Sequence, residues 1–203
     1  MTWSKRLLDV ILALVLSVLL FVPFVMLLLV LLLIEGRPLF YVSERMMTPD
    51  RAFALIKLRT MRASAGNTGV TGGDKEGRIS PTYKALRKSR FDEVPQLLNV
   101  LRGQMSFVGP RPPLRIYVED FPTLYAQVLR NRPGITGLAS LRFHAHEEML
   151  LAKTTTAAQT DHVYRTRCVP RKAILDLIYQ RHQSFCFDLA LIWETATRVL
   201  RRR

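Results

Sequence analysis

The chain has 203 residues, enough for one domain with a hydrophobic core, and its formal net charge is +14 at pH 7. A cationic excess of this size indicates an anionic partner, for which lipid, nucleic acid and a phosphorylated substrate are the candidates. The 2 cysteines, Cys168 and Cys186, stand alone without CxxC spacing, which excludes a disulfide scaffold and a zinc ribbon.

An apolar segment dominates the first part of the chain. Residues 10–34 contain no charged side chain, and a run of this length predicts a membrane helix rather than a signal peptide. Pro23, near its middle, removes a backbone hydrogen bond and predicts a kink. Lys5 and Arg6 precede the run and Arg37 follows it, so charge does not choose between crossing and returning to the same face. The residues alone favour a plain span.

Two short runs of β type follow, at residues 38–42 and 52–56, joined by a polar turn. The second leads into Lys57 and Arg59, whose alternation places both basic side chains on one face of an extended segment. Taken alone, this face fits a solvated strand edge. Residues 64–78 are rich in glycine and polar side chains, which predicts a mobile loop, and they lack the ending of a phosphate-binding P-loop.

Two adjacent carboxylates, Asp92 and Glu93, lie between basic residues on one side and a Gly-Pro-Arg-Pro turn at residues 109–112 on the other. Carboxylate oxygens suit a hard divalent cation and arginine suits phosphate, so this stretch is the candidate for the chemistry. The same residues fit a helix start, with Asp92 as the N-cap or as the partner of Ser89 in a capping box, and with Gly103 as the stop. Capping and catalysis are compatible, because a helix N-terminus favours bound anions.

The segment that follows is expected to be helical. Residues 117–129 have a helical distribution of apolar side chains that Pro122 interrupts. Arg132, in the next turn, fits a nucleotide contact and also fits a cap on the preceding helix. His144 and His146 do not predict a zinc site, since no third ligand stands at a recognised spacing.

The C-terminal segment, residues 184–200, places apolar side chains over a broad helical stripe and is followed by three arginines. This pattern fits a helix lying in the membrane interface, with arginine against anionic headgroups. It also fits a helix packed on the core with a solvated basic end. No recognisable nucleic-acid-binding fold is visible in the sequence, which favours lipid as the partner of these arginines.

Four blocks carry a resemblance to a known family. They lie at residues 57–61 (Lys-Leu-Arg-Thr-Met), 91–103 (from Phe-Asp-Glu to Arg-Gly), 105–112 (Met-Ser-Phe-Val-Gly-Pro-Arg-Pro) and 132–137 (Arg-Pro-Gly-Ile-Thr-Gly). In this order they resemble the bacterial sugar transferase family, the monotopic phosphoglycosyl transferases, from about residue 4 to residue 200. The chain departs from that family at Val22, where many members have serine, and in residues 138–144.

The resemblance implies an α+β fold: a mostly helical small catalytic domain with short strands and interfacial amphipathic helices. Residues 1–36 would form a kinked, re-entrant membrane helix, and residues 37–203 the transferase domain. The family lies on the cytoplasmic face of the bacterial inner membrane, with anionic lipid as a partner. Nucleic acid is not an expected partner, and a homo-oligomer is left open.

The implied activity is transfer of a phosphosugar from a UDP-sugar to a polyprenyl phosphate through a covalent aspartyl intermediate, with release of UMP. It would initiate synthesis of a bacterial glycoconjugate. Asp92 would be the nucleophile, and Asp92 and Glu93 would hold Mg²⁺. The expected substrate-binding residues are all basic: Lys57, Arg59, Arg87, Arg111 and Arg132. The alternative is a non-catalytic membrane-bound scaffold with a basic surface.

Overall fold

A computed structural model describes residues 2–62, 70 and 72–201, and in this part the chain is a mixture of helix and sheet in which helix predominates. The α-helices are α1 (Trp3–Glu35), α2 (Pro81–Ser89), α3 (Gln96–Leu101), α4 (Arg115–Asp120), α5 (Pro122–Val128), α6 (Leu138–Ala152), α7 (Ala157–Val163), α8 (Val169–His182) and α9 (Phe185–Arg201). The strands are β1 (Phe40–Met46), β2 (Ala52–Leu58), β3 (Ser106–Val108) and β4 (Gly134–Thr136). Two 3₁₀ segments (Gly73–Arg78 and Phe91–Glu93) and one π-helical turn (Tyr164–Cys168) complete the described elements. The predicted α+β class is confirmed at this level.

Helix α1 is the long apolar helix that the sequence predicts. It has 33 residues, begins at an N-cap in which Thr2 accepts from Lys5 N, and ends at Gly36, whose φ is +66°. Of the described helices, it is the one long and apolar enough to cross a membrane. The helix continues without interruption through Pro23, so the re-entrant path remains a prediction.

The N-terminal end of α1 is bound to the rest of the protein by buried polar contacts. Lys5 Nζ forms an ion pair with Asp188 Oδ2 of α9 at 2.7 Å and donates to the Tyr179 hydroxyl of α8 at 3.2 Å. Arg6 donates to the carbonyl oxygens of Val100 and Leu101 at 2.6 and 2.8 Å. Arg6 therefore caps the C-terminal end of α3, where cations are favoured.

The C-terminal end of α1 is bound to the same domain. Arg59 Nη2, just beyond β2, donates to the Glu35 carbonyl oxygen at 2.9 Å, and Ser80 Oγ donates to Glu35 Oε1 at 2.5 Å. Leu31 packs in an apolar cluster with Leu58 and Tyr83, among others. Both ends of the helix thus contact one folded unit.

Strands β1 and β2 form the predicted antiparallel hairpin. The register runs from Phe40 opposite Leu58 to Met46 opposite Ala52, so both strands are longer than the sequence predicts. Thr48 stabilises the polar turn, since its Oγ1 accepts from the backbone N–H of Arg51 at 3.1 Å.

Asn99 connects α3 to this hairpin. Its side chain is completely buried, donates to Ala54 O at 2.8 Å and accepts from Ile56 N at 3.2 Å. The same amide also donates to Gln104 Oε1 at 2.7 Å. Because a buried amide that loses its partners is costly, these bonds fix α3 against β2.

The short parallel pair of β3 and β4 positions the Gly-Pro-Arg-Pro turn. Gly109 N donates to Thr136 O at 2.9 Å, and Gly134 N donates to Pro110 O at 2.8 Å. A Cβ atom on Gly109 would lie 2.2 Å from Arg132 O, and one on Gly134 would lie 2.2 Å from Gly109 N. Only glycine allows the two backbones to approach this closely.

Three predictions about local structure have different outcomes. The break at Pro122 is confirmed, because α4 ends at Asp120 and Pro122 is the first residue of α5. Within the predicted mobile loop, the segment Gly73–Arg78 is instead a 3₁₀ helix in which Lys75 is buried and donates to Val70 O at 2.8 Å. The rest of that prediction, at residues 63–69 and 71, lies outside the described residues.

Candidate active site

The acidic pair lies in the 3₁₀ turn Phe91–Glu93, between α2 and α3. Arg90 ends α2 in the left-handed conformation, with φ at 61° and ψ at 9°, and the chain changes direction there. The predicted capping role of Asp92 is wrong, because α3 begins four residues later and has Pro95 at its N-cap. Ser89 does not form a capping box either, since its hydroxyl donates back to Leu86 O at 2.9 Å.

Glu93 is buried and is held by two arginines. Its Oε1 accepts from Arg90 Nη1 at 3.2 Å and from Arg111 Nη2 at 3.1 Å. Burial by itself would raise the pKa of Glu93, but Arg111 and Arg90 outweigh it and the pKa is lowered. Glu93 is therefore an ionised carboxylate at neutral pH.

Asp92 has a different environment from its neighbour. Burial, helped by the charge of Glu93, raises the pKa of Asp92 to about 6, against the opposing effects of Lys57, Arg90 and Arg111. Asp92 Oδ1 is buried and has no hydrogen-bond partner among the described residues. One carboxylate oxygen of the pair is therefore left available for a ligand or a reacting atom.

Lys57 faces this carboxylate from β2. Its ammonium lies 5.4 Å from the centre of the Tyr41 ring, and Tyr41 is its direct partner in the hairpin register. Burial, together with the positive charges of Arg111 and Arg45, lowers the pKa of Lys57 to about 8. Lys57 therefore lies in a local excess of cations.

Arg45 belongs to the same group of cations, and sequence reasoning missed it. It lies on the same face of β1 as Tyr41, and its Nε is buried without a hydrogen-bond partner among the described residues. Its Nη1 makes only a long contact, 3.5 Å, to Pro112 O. The alternation of residues along β1 could have identified Arg45, once β1 was paired with β2 in the correct register.

Arg87 and Arg111 complete the cluster. Arg87 Nε donates to Thr60 Oγ1 at 3.0 Å, and burial lowers the pKa of Arg87 while Asp92 opposes that effect. Arg111 extends from the Gly-Pro-Arg-Pro turn, and Glu93 raises its pKa. The side chain of Arg111 is 46% exposed, so the cluster reaches the surface. We call Arg45, Lys57, Arg87 and Arg111 the cation cluster.

Two of the predicted substrate-binding residues lie elsewhere. The guanidinium of Arg59 is bound to the end of α1, where it donates to the carbonyl oxygens of Glu35 and Gly36 and lies 5.9 Å from the Tyr83 ring centre. Arg59 follows the last residue of β2, so the strand alternation that placed it beside Lys57 does not apply.

Arg132 lies near the opposite end of α3 from the carboxylates. Its Nη1 would be 3.1 Å from a Cβ on Gly103, and Arg6 Nη2 would be 3.6 Å from the same point. Gly103 has a φ of +74° and follows the end of α3, as the predicted glycine stop requires. Neither a nucleotide contact nor a cap on α5 is supported by this position.

Helix α6 forms another wall of the site. Glu147 and Glu148 act electrostatically on Arg111 and Arg87, respectively. Glu147 Oε1 also accepts from Lys172 Nζ at 3.0 Å. Residues 138–144, which depart from the family pattern, therefore form the first part of the helix that borders the acidic pair.

Mg²⁺ is the cation that the family resemblance implies, and the residues present fit it. Asp92 offers a buried oxygen without a hydrogen-bond partner, and Glu93 Oε2 is not used by either arginine. The described residues contain no cluster of three or more typical metal ligands. Two carboxylates match a Mg²⁺ ion that completes its shell with water and substrate phosphates, rather than one enclosed by protein.

The fold and the site define a helix-rich protein that places an apolar helix beside a buried carboxylate pair and a cation cluster. The chain belongs to the bacterial sugar transferase family, whose sequence profile matches residues 1–202. The resemblance noted in the sequence is thereby confirmed.

Characterised relatives are similar over most of this chain. A UDP-N-acetylgalactosamine-undecaprenyl-phosphate N-acetylgalactosaminephosphotransferase of Aeromonas hydrophila is 32% identical over 97% of this chain and 43% of its own length. A UDP-glucose:undecaprenyl-phosphate glucose-1-phosphate transferase of Caulobacter vibrioides is 34% identical over 78% of this chain and 62% of its own length. The exopolysaccharide production protein ExoY of Rhizobium meliloti is 29% identical over 95% of this chain and 83% of its own length. The chain thus spans less than two thirds of the first two relatives.

Proposed function

We propose that this protein transfers a phosphosugar from a UDP-sugar to a polyprenyl phosphate and releases UMP. The observation that carries the proposal is the buried oxygen of Asp92, which has no hydrogen-bond partner among the described residues and faces the cation cluster. Two relatives that are named for the same class of transfer, to undecaprenyl phosphate, support it.

In the first half of the reaction, a carboxylate oxygen of Asp92 attacks the phosphorus that carries the sugar. The bond from this phosphorus to the UMP oxygen breaks, the electron pair leaves with UMP, and the phosphosugar remains on Asp92. Lys57, Arg87 and Arg111 balance the charge of the diphosphate while this bond breaks. Arg45 adds a fourth cation, which forms no ion pair among the residues that the structure describes.

In the second half, an oxygen of the polyprenyl phosphate attacks the same phosphorus. The bond to Asp92 breaks, its electron pair returns to the carboxylate, and the lipid carries the phosphosugar away. When bound, Mg²⁺ would neutralise the diphosphate charge, and Asp92 and Glu93 would hold it. Glu93 is fixed for this role by Arg90 and Arg111.

We also propose that α1 enters and leaves the membrane on the same side, so that residues 1–36 anchor the transferase domain of residues 37–203. A spanning helix would have only one end at the domain, whereas Lys5 and Glu35, near the two ends of α1, both bind it. A straight helix of this length would measure about 50 Å, so a helix that crossed a bilayer core of about 30 Å would hold its two ends on opposite sides of that core. The contacts of both ends with one domain support entry and return on the same side. We assign this side to the cytoplasm, because UDP-sugars are made there.

Helix α9 fits the predicted interfacial position. Leu191 is buried in the core, while Trp193 and Phe185 on other faces are 73% and 51% exposed. The helix thus packs on the domain and still offers an apolar surface to lipid. We propose that this surface, with the basic residues near the end of the chain, rests on anionic headgroups.

A two-stage assay tests the function. Purified protein in detergent receives a panel of radiolabelled UDP-sugars with Mg²⁺, first without and then with undecaprenyl phosphate. UMP release and a labelled protein are expected in the first stage, and a labelled lipid in the second. A protein that binds UDP-sugars but releases no UMP with any of them would instead be a scaffold with a basic surface.

A further inference from the structure

A cavity of about 200 Å³ lies beside the acidic pair, on the side that faces α1. Helices α1, α3, α6 and α9 and strand β4 surround it, and Glu93 is one of its lining residues. Most of the lining is apolar, with side chains contributed by Leu16, Leu20, Leu97, Phe107, Leu141 and Val199. We call this cavity the apolar groove.

Cations stand among these apolar side chains. Lys88, Arg90 and Arg198 line the apolar groove. Arg198 is engaged by Glu194 at 2.8 Å and by Leu141 O at 2.5 Å, and Arg90 is engaged by Glu93. Lys88 has no hydrogen bond or ion pair among the described residues, so its charge is available to a ligand.

Arg90 reaches its position through an unfavourable backbone. It is the one residue other than glycine with a positive φ in the described part of the chain. The left-handed region costs an arginine about 1 kcal/mol or more. Such strain persists where the surrounding structure requires it, and here it places a guanidinium against Glu93 in the lining of the apolar groove.

The apolar groove continues onto the exposed surface of α1. Leu16 and Leu20 line it, and their neighbours Val15, Val18 and Leu19 are 49%, 76% and 66% exposed. A molecule in the groove can therefore extend along the helix that we assign to the membrane without crossing a polar surface. A water-soluble sugar nucleotide matches neither this path nor this lining.

We propose that the apolar groove binds the lipid acceptor, a polyprenyl monophosphate, with its phosphate at Lys88 and Arg90 and its isoprenoid chain along Leu16 and Leu20. The inference rests on the proposed function, because it assigns a place to that reaction's second substrate. Charge complementarity and the shared Glu93 support it. Arg90 contacts Glu93 from the groove, while Arg111 contacts the same oxygen from the cation cluster, so the two substrates approach the acidic pair from two sides.

The test uses a binding measurement that does not depend on turnover. Farnesyl phosphate, a short and soluble polyprenyl phosphate, is titrated into the detergent-solubilised protein and followed by calorimetry. Ala145 is exposed and lines the groove, so Ala145→Trp should obstruct it without disturbing the core. Met149 is 50% exposed on the same helix and does not line the groove, so Met149→Trp is the matched control.

Ala145→Trp should weaken farnesyl phosphate binding by about tenfold or more, since a bulky ring replaces the space that the ligand needs. Met149→Trp should bind within about twofold of the unmodified protein, the range expected of a surface change that touches no ligand. Lys88→Ala should weaken farnesyl phosphate but not farnesol, and inorganic phosphate should not compete at the same concentration. Equal binding by Ala145→Trp and Met149→Trp, or equal binding of farnesol and farnesyl phosphate, would overturn the proposal.

The enzymatic assay separates this inference from the proposed function. If the groove is correct, Ala145→Trp has a raised KM for undecaprenyl phosphate, whereas Met149→Trp keeps both this KM and the UMP release of the unmodified protein. If the unmodified protein binds farnesyl phosphate in the groove yet releases no UMP, the lipid site stands and the transferase proposal fails. If UMP release and lipid KM are both unchanged in Ala145→Trp, the groove assignment fails and the transferase proposal stands.

Discussion

The buried ion pair between Lys5 and Asp188 offers the sharpest test of how α1 is held. Only 8% of the Lys5 side chain and 3% of the Asp188 side chain are exposed. Lys5→Met removes the partner of Asp188 Oδ2 and leaves Oδ1 with the Tyr179 hydroxyl at 2.6 Å. Removing one member of a buried pair costs about 3–5 kcal/mol, because the other charge stays buried. For a chain of this size, that loss corresponds to a fall in Tm of about 6–20 °C.

The measurement is thermal unfolding in detergent, followed by circular dichroism. Lys153→Met, at an exposed lysine that ends α6, is the control and should leave Tm nearly unchanged. The double variant Lys5→Met with Asp188→Leu should recover most of the loss, since an apolar pair of similar volume can replace a buried ion pair. A Tm for Lys5→Met equal to that of the control would refute the docking of this end of α1.

Four further predictions concern activity and topology. Asp92→Asn should lose UMP release by orders of magnitude with unchanged Tm, and retention of more than about a tenth of the activity would exclude it as the nucleophile. Glu93→Gln, like removal of Mg²⁺ with EDTA, should severely reduce turnover, and wild-type behaviour would place the metal role elsewhere. Arg111→Lys should fail nearly as badly as Arg111→Ala, because a point charge cannot make a bidentate contact to phosphate, and full rescue by lysine would indicate simple charge balance. A cysteine at residue 2, introduced with Cys186→Ser, should be labelled from the cytoplasmic side in the unmodified helix and partly from the periplasmic side in Pro23→Leu; periplasmic labelling without the Pro23 change would end the re-entrant proposal.

The sequence predicts the elements whose signals are local. Composition predicts the apolar helix, the alternation of residues predicts the β1–β2 hairpin, and the proline ring predicts the break at Pro122. All three are confirmed. The sequence also places Asp92 and Glu93 beside Arg111, because the turn that carries this arginine is close in the chain.

The remaining features depend on contacts that sequence periodicity does not report. Arg45 lies in the cation cluster because of the hairpin register, and Arg59 lies outside it because β2 ends one residue before Arg59. The capping prediction for Asp92 failed because Arg90 adopts a left-handed conformation that is rare for arginine. The division at residue 36 stays a prediction.

The polar contacts at the two ends of α1 explain how an apolar helix can be held in one position by a domain at a membrane. Lipid chains are as apolar as leucine side chains, so apolar packing alone distinguishes weakly between α1 on the domain and α1 in lipid. In the hydrocarbon region Lys5 would find no partner equivalent to Asp188, and the Glu35 carbonyl would find none equivalent to Arg59. Because these contacts lie near opposite ends of the helix, they fix both its depth and its rotation. Leu16 and Leu20 are thereby directed toward the apolar groove beside Glu93, instead of toward the surrounding bilayer.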